Sequence, residues 1–267
     1  MSGNGGFERV KGPVFAGSDR EGRVNAGFVG TARGSLVVDT LVTREDGQAL
    51  LAAAEAEAGP VAAIVFTHEH ADHTIGSTDF PACGIIASEG TARGMAAELV
   101  RSGQVWTPQG IAPKIATLVF ESRIRLPWTP EVVVAELGGH AEGSTVVYLP
   151  ESGVLFSGDL VFRGRAAWVG GMRPEKWLAA LRTMEGWDVE TVIPGHGPIG
   201  GRDILTEQRL WLERLLERAG QLRAAGTNVV EAVRILAGEF AFVDRQLQSL
   251  RTALVKKLEF TDDGEEA

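Results

Sequence analysis

Three histidines and an aspartate fall within six residues in Thr67-His68-Glu69-His70-Ala71-Asp72-His73. Imidazole nitrogens and carboxylate oxygens are ordinary ligands for zinc and similar divalent ions, and no other segment of the chain concentrates so much ligand capacity. Just before it runs Val61-Ala62-Ala63-Ile64-Val65-Phe66, short, apolar and preceded by Gly59-Pro60. Such a run predicts a buried strand whose end delivers the following residues onto a loop, where alternate side chains can splay toward one or two ions.

The chain has only five histidines, and the other two sharpen the pattern. His140 and His196 each sit in a glycine-flanked turn, Gly138-Gly139-His140 and Pro194-Gly195-His196-Gly197-Pro198. Each turn follows a strand-like run, Val132 to Leu137 and Val189 to Ile193. Between them, Val154-Leu155-Phe156-Ser157-Gly158-Asp159 again places an apolar strand, a glycine and then a ligand-type residue. One buried histidine is ordinarily a hydrogen-bonded structural residue. Five at strand ends, with two aspartates, predict a metal site.

The order His68-x-His70-x-Asp72-His73, then His140, Asp159 and His196, resembles the metallo-β-lactamase superfamily of metallohydrolases. Gly139-His140-Ala141-Glu142-Gly143-Ser144 is similar to that family's Gly-His-Thr-x-Gly-Ser turn, Ser157-Gly158-Asp159 to its Ser-Gly-Asp turn, and Pro194-Gly195-His196-Gly197 to its Pro-Gly-His-Gly turn. The likeness runs from about Phe28 to Pro198 and is specific as a set. Asp159 stands where the better-known β-lactamases carry Cys or Ser, which tilts the resemblance toward the glyoxalase II-like branch with its bridging carboxylate. Ala141-Glu142 stands where Thr-Pro or Thr-Asp is commoner.

The resemblance implies an α/β fold of two packed sheets with helices outside, the αββα sandwich. It implies that His68, His70 and His140 hold one metal, that Asp72, His73 and His196 hold a second, and that Asp159 bridges them. Zinc is the default for such ligands, two per chain, and iron or manganese also suits them. Two ions sharing a water can lower its pKa from 15.7 toward roughly 7, which provides a bridging hydroxide at neutral pH. Asp72 would also orient that hydroxide. The reaction implied is hydrolysis of an ester, lactone, thioester or amide of a small molecule. Phosphodiester hydrolysis on the same metals and mono-iron sulfur dioxygenation are the alternatives within the superfamily.

Composition narrows the setting. A net charge of −9 argues against a nucleic-acid or anionic-membrane surface. The single cysteine, Cys83, allows no intramolecular disulfide and is expected to be a small buried hydrophobe. The first residues lack the basic start and apolar stretch of an export signal, and no apolar run is long enough to cross a bilayer. A cytoplasmic protein is the expectation.

The elements needed to carry these residues can be read in order. Strands are expected at Pro13 to Ala16, Asn25 to Gly30 and Ser35 to Asp39, then a helix from Thr43 or Arg44 to Ala58. Gly84 to Ala87 predicts a further strand, Ser88 caps a helix reaching about Val100, and Arg101 to Pro113 is expected to be a loop bordering the site. Thr117 to Leu126 alternates as two strands. Val146 to Pro150 and Val154 to Phe156 predict a hairpin, Leu160 to Gly171 an irregular stretch, and Pro174 begins a helix with Trp177, Leu178 and Leu181 inward. Past Pro198 the texture becomes helical. Asp203 is expected to cap a long helix ending near Ala225-Gly226, Thr227 to open a second, and Val243, Leu247, Leu250, Leu254 and Leu258 to mark a third. The organisation expected is a catalytic domain over 1–202, a helical extension over 203–260 and an acidic tail over 261–267.

Substrate contacts are less sharply marked. Trp106 and Trp168 lie in irregular stretches near the ligand turns, where an indole either meets an apolar substrate or buries the loop. Arg163 and Arg165 closely follow Asp159 and are expected either to grip a substrate carboxylate or to stand solvated.

Overall fold

The apolar runs pair into two sheets in the computed structural model, which describes residues 6–101 and 114–261. The first half supplies β1 (Glu8–Lys11), β2 (Val14–Ser18), β3 (Asn25–Thr31), β4 (Gly34–Val38), α1 (Arg44–Ala58), β5 (Val61–Val65), the one-turn α2 (Ala71–Thr74), β6 (Gly84–Ser88), α3 (Glu89–Arg101) and β7 (Leu118–Phe120). The second supplies β8 (Arg123–Leu126), β9 (Val132–Glu136), β10 (Thr145–Leu149), β11 (Val154–Phe162), α4 (Pro174–Glu185), β12 (Thr191–His196), β13 (Gly200–Gly201), α5 (Asp203–Ala224), α6 (Val229–Glu239) and α7 (Asp244–Lys257). Strand order is β1-β2-β3-β4-β5-β6-β7 in one sheet and β13-β12-β11-β10-β9-β8 in the other.

Period-two alternation sorts each strand between two cores. Leu36 and Val38 of β4, Ala63 and Val65 of β5, and Val132 and Val134 of β9 point between the sheets, where they meet Val147, Leu149, Phe156 and Ile193. Their neighbours face outward. Val37 and Ile64 join Leu50 and Ala54 of α1 and Met95 of α3, while Val133, Leu155 and Leu160 join Trp177 of α4. Helices therefore cover both outer faces, and the fold is the expected αββα sandwich with a helical C-terminal portion. Leu205 and Leu212 of α5, Leu236 of α6, and Leu250 and Leu254 of α7 pack into the same core as the second sheet.

Caps fix where the helices start. Thr43 Oγ1 accepts the Asp46 N–H at 3.1 Å ahead of α1, and Ser88 Oγ accepts the Thr91 N–H at 3.1 Å in the first turn of α3. Asp203, expected as a cap, is the first residue of α5, because Arg202 before it already has helical dihedrals and offers no capping geometry. Asn228 rather than Thr227 caps α6, its side chain accepting the Glu231 N–H at 2.9 Å. Val243 sits exposed just before α7, and Phe242 takes its place in the core.

Two other expectations are revised. Leu160 to Phe162 are not irregular but complete β11, all nine residues of which are buried. A strand covered on both faces shows no alternation, and Ser157-Gly158-Asp159 interrupts its apolar text. Cys83 is half-buried rather than buried and packs against the outer core of the first sheet. Of the expected loop over 101–113, Arg101 instead ends α3, and residues 102–113, Trp106 among them, lie outside the described residues, as does the tail after Thr261. Among the described residues no helix is long and apolar enough to cross a membrane.

Candidate metal centre

Parallel neighbours β4 and β5 end side by side, as do β11 and β12, and these strand ends bring the ligand-type residues together. After β5 come His68, His70, Asp72 and His73, the last two within α2. His140 follows β9, Asp159 lies inside β11 and His196 closes β12. Two groups result, His68 with His70, His140 and Asp159, and Asp72 with His73 and His196, the potential ligand atoms of each group lying within 4.8 Å of one another.

Asp159 lies between the groups. Its Oδ2 is 3.7 Å from His68 Nε2, 3.5 Å from His140 Nε2 and 3.1 Å from His196 Nε2, while its Oδ1 is 3.1 Å from His73 Nε2. Asp72 Oδ2 is 3.6 Å from His196 Nε2 and 3.9 Å from His73 Nε2. Two glycines make the approach possible. Gly158 holds a positive φ of 49° just before the carboxylate, and a Cβ on Gly195 would lie 2.0 Å from Asp159 Oδ1.

Outer partners fix which imidazole nitrogen faces inward. Asp39, the residue after β4, with a positive φ of 56°, accepts from Thr67 N at 2.8 Å, Thr67 Oγ1 at 2.7 Å and His73 Nδ1 at 2.8 Å. Thr67 Oγ1, having donated to Asp39, accepts from His68 Nδ1 at 3.1 Å. His196 Nδ1 donates to the Arg23 carbonyl at 2.6 Å. In each ring Nδ1 is engaged outward, so it is Nε2 that points into the site. Asn25 adds a brace between the sheets, its Nδ2 donating to the carbonyls of Pro194 at 2.8 Å and Gly197 at 2.7 Å.

The donor set fits cations. His70 Nδ1 is 3.0 Å from His68 Nε2 and 3.1 Å from His140 Nε2, so three ring nitrogens converge on one point. Burial holds His68 well below its ordinary value and pushes His140 down to about 3, which leaves both neutral with lone pairs free. Lone pairs cannot bond one another, and a metal ion is the group that satisfies several at once. His73 Nε2 and Asp159 Oδ1 are likewise buried with no hydrogen-bond partner. Burial pulls His73 down, but Asp159, Asp72 and Asp39 outweigh it and raise the imidazole well above 6.5. Burial pushes Asp159 up, and His196, His73 and His68 outweigh that, holding it well below the carboxylate range. His140 Nδ1 is buried without a hydrogen-bond partner, in keeping with Ala141 in place of a hydroxyl residue in its turn. Ser144 closes that turn instead, accepting the Ala141 N–H at 2.8 Å.

A cavity of about 430 Å³ opens onto the cluster, its wall including His70, Asp72, Asp159, His196, Phe162 and Trp168. Phe162 stacks on the His196 ring at 4.8 Å, and Trp177 meets His140 edge-on at 5.5 Å while its indole N–H donates to the Leu160 carbonyl at 2.9 Å. Of the expected substrate contacts, Trp168 lines the cavity. Arg163 does not. Its guanidinium donates to the Ile199 carbonyl at 2.8 Å, folded over Gly200, and of the two arginines expected near the site it is Arg165 that lines the cavity.

Asp39, Asn25 and the Arg23 carbonyl were not singled out by sequence reasoning. Asp39 carried a usable signal, since Ser35-Leu36-Val37-Val38-Asp39 repeats the apolar strand followed by a carboxylate seen at Asp159.

The sequence model of the Metallo-beta-lactamase superfamily matches residues 19–196. A metallo-beta-lactamase type 2 from Bacillus sp. (strain 170) is 27% identical over 147 residues, covering 53% of this chain and 54% of that protein. The 2,4-dinitroanisole O-demethylase subunit alpha of Nocardioides sp. (strain JS1661) is 28% identical over 164 residues, 57% of this chain and 45% of that protein. The chain spans about half the length of these curated relatives. Among solved structures, a double mutant of the sec-alkyl sulfatase PisA1 superposes with a TM-score of 0.75 at 18% identity, over 97% of this chain and 51% of that one. The DIM-1 metallo-beta-lactamase superposes at 0.65 and 21% identity, over 78% of this chain and 97% of that one. Both are likenesses of fold, and the first extends into the C-terminal helices.

Proposed function

Because the chain belongs to the metallo-beta-lactamase superfamily, we propose that it is a dinuclear hydrolase of the glyoxalase II-like branch, acting on an ester, lactone, thioester or amide of a small molecule. The observation that carries this reading is Asp159, whose two carboxylate oxygens reach both ligand groups. His68, His70 and His140 would hold one ion, Asp72, His73 and His196 the other, and Asp159 would span them. Zinc suits this set, as do iron and manganese. Bound there, such ions supply a water acidic enough to ionise near neutral pH and positive charge for the oxygen of the attacked bond.

The chain's own residues do the rest. Asp72 keeps its carboxylate a third exposed to the cavity, where it can orient the attacking water and receive its proton. The water oxygen bonds to the acyl carbon, the bond to the leaving group breaks, and the proton passes to the departing atom. Thr67, Asp39 and the Arg23 carbonyl keep the imidazoles aimed, so no step waits on their reorientation. Phe162 and Trp168 give the cavity an apolar wall suited to a small organic substrate. Cys83 stands outside that wall, so no thiol nucleophile is offered. The lactamase and sulfatase names among the neighbours fit hydrolysis. The acidic charge fits a small-molecule substrate rather than a nucleic acid.

Metal analysis of protein purified without added metal tests the reading, with two ions per chain expected. A panel of chromogenic esters, thioesters, lactones, cephalosporins and bis-phosphodiesters then assigns the bond. Asp159→Ala should abolish turnover on whichever substrate responds and lower the metal content. A single iron, or an active Asp159→Ala variant, would refute the dinuclear hydrolase.

A further inference from the structure

A second cavity, of about 610 Å³, lies where the segment after β11 meets α5 and the end of α6. That volume is in the range of a small-molecule site. Trp211 of α5 and Phe240 after α6 form part of its wall, their rings edge to face at 6.0 Å and 87°, and both are only partly buried. Phe162 and Arg165 line this cavity as well as the one over the metal cluster, so the two share a partition. Charges of both signs stand around it, Arg163, Arg165 and Arg214 with Glu207 and Glu239. Arg163 and Arg165 donate to the carbonyls of Ile199 and Arg23, and Glu239 pairs with Arg218. Such a mixture offers no field of one sign, which suits a neutral molecule better than an ion.

Gln208 belongs to the same wall and is 3% exposed. The other buried residues of α5, Ile204, Leu205, Leu212, Leu215, Ala219 and Leu222, are all apolar. One end of the Gln208 amide has a clear duty. Its Oε1 accepts the Phe162 N–H at 2.9 Å, a donor left to it because the pairing of β10 with β11 stops at Phe156. That bond also fixes which end of the amide is oxygen. The other end, Nε2, is buried with no hydrogen-bond partner. A buried amide N–H without an acceptor is unfavourable, and an oxygen supplied from the cavity would answer it.

We propose that this cavity is a second ligand site, separate from the one over the metal cluster, which takes a neutral, flat aromatic molecule bearing a carbonyl-type oxygen. The aromatic corner of Trp211 and Phe240 receives the ring, and Gln208 Nε2 donates to the oxygen. Gln208 then makes both of its bonds, one to the end of β11 and one to the ligand. The inference goes beyond the hydrolase reading and does not depend on it, since no bond is broken at this site.

Saturation-transfer NMR titrations on the protein as purified compare 2-acetylnaphthalene with 2-isopropenylnaphthalene, which has the same shape with a CH₂ group in place of the ketone oxygen. Neither carries a hydrolysable bond. The wild type should bind the ketone about fivefold more tightly than the hydrocarbon. Gln208→Met keeps the length of the side chain and should erase that difference while still binding both. Trp211→Leu leaves the Gln208 bond to Phe162 in place and should weaken both by about tenfold. Trp168→Leu, on the wall of the cavity over the cluster, should bind both as the wild type does. Should Gln208→Met fail to fold, Trp211→Leu against Trp168→Leu decides alone. Binding weakened by Trp168→Leu, binding unchanged in Trp211→Leu, or a ketone preference that persists in folded Gln208→Met overturns the site. So does equal affinity of the wild type for the two probes, or no binding of either.

Discussion

Asp39→Asn isolates the contribution of a residue that touches no proposed ion. The carboxylate takes three hydrogen bonds at 2.8, 2.7 and 2.8 Å, from Thr67 N, Thr67 Oγ1 and His73 Nδ1. Asparagine has the same shape but only one acceptor oxygen. If that oxygen keeps the Thr67 N–H, the amide NH₂ faces Thr67 Oγ1 and His73 Nδ1. Thr67 can respond by rotating its hydroxyl to accept. His73 can respond only by moving its proton to Nε2, the atom 3.1 Å from Asp159 Oδ1 that would bind the second ion. A proton there blocks the lone pair. Keeping the proton on Nδ1 instead leaves two donors facing each other in a buried place, a loss of about 1.5 to 3 kcal/mol for a bond to a charged group. Either route weakens the second ion, by roughly 10- to 100-fold, as is usual for an outer partner of a ligand histidine. The His68, His70 and His140 group keeps its nitrogens, although Thr67 passes a smaller disturbance to His68 Nδ1. Competition against a chromogenic chelator near neutral pH should therefore show one ion held almost as in the wild type and one much weaker. Two ions taken up with unchanged affinity, in a variant of unaltered circular dichroism, would refute the reasoning.

The titration of the metal-free protein should be two-sided. His73 is raised above 6.5 when folded, so its contribution is complete below the unfolded value and is lost as pH rises through the higher folded value. His68 and His140 are held low, His140 at about 3, so the folded state is penalised as pH falls from 6.5 toward 3. Thermal melts of chelator-treated protein should peak in stability near or just above 6.5, and zinc addition at that pH should release protons from His73, which a pH-indicator dye will register. A melt flat across this range would contradict both assignments. Ser249→Ala removes the acceptor for the Val169 and Gly170 N–H groups and should cost about 1 to 3 kcal/mol in urea unfolding. Because these bonds anchor the segment carrying Arg165, KM should rise more than kcat falls.

The clustering of the histidines and aspartates was legible because metal chemistry would demand rare residue types at strand ends, and strand ends are readable from short apolar runs. Five histidines in a chain of 267 leave little room for alternative assignments once each follows such a run. The two-sheet core was legible for a related reason, since β4, β5 and β9 alternate between an inter-sheet and an outer face. β11 escaped in part because both its faces are buried and the pattern that marks a half-buried strand vanishes. Capping was read well at Ser88, left open at Thr43, which was given only as a possible first helical residue, and misread at Asp203, where the chain is already helical one residue earlier.

What escaped the sequence was pairing across long separations. Nothing near Arg23 announces that its carbonyl will accept from His196, or near Asn25 that its amide will hold the turn at Pro194 and Gly197, since backbone carbonyls carry no sequence signature. The same blindness explains the arginines. Proximity to Asp159 in the chain favoured Arg163, yet Gly164 between the two takes a positive φ of 71° and turns the chain, so Arg163 goes to Ile199 and Arg165 to the cavity. Arg245, 86 positions beyond Asp159, had no reason to be considered with it until α7 was seen bonded to Ala166, Val169 and Gly170. The leucine pattern of the last helices predicted correctly that they pack, but a packing stripe says nothing of what the helix ends present. Reach across the fold, rather than spacing along it, decides which side chains share the cavity wall, as Arg245 and Arg165 do.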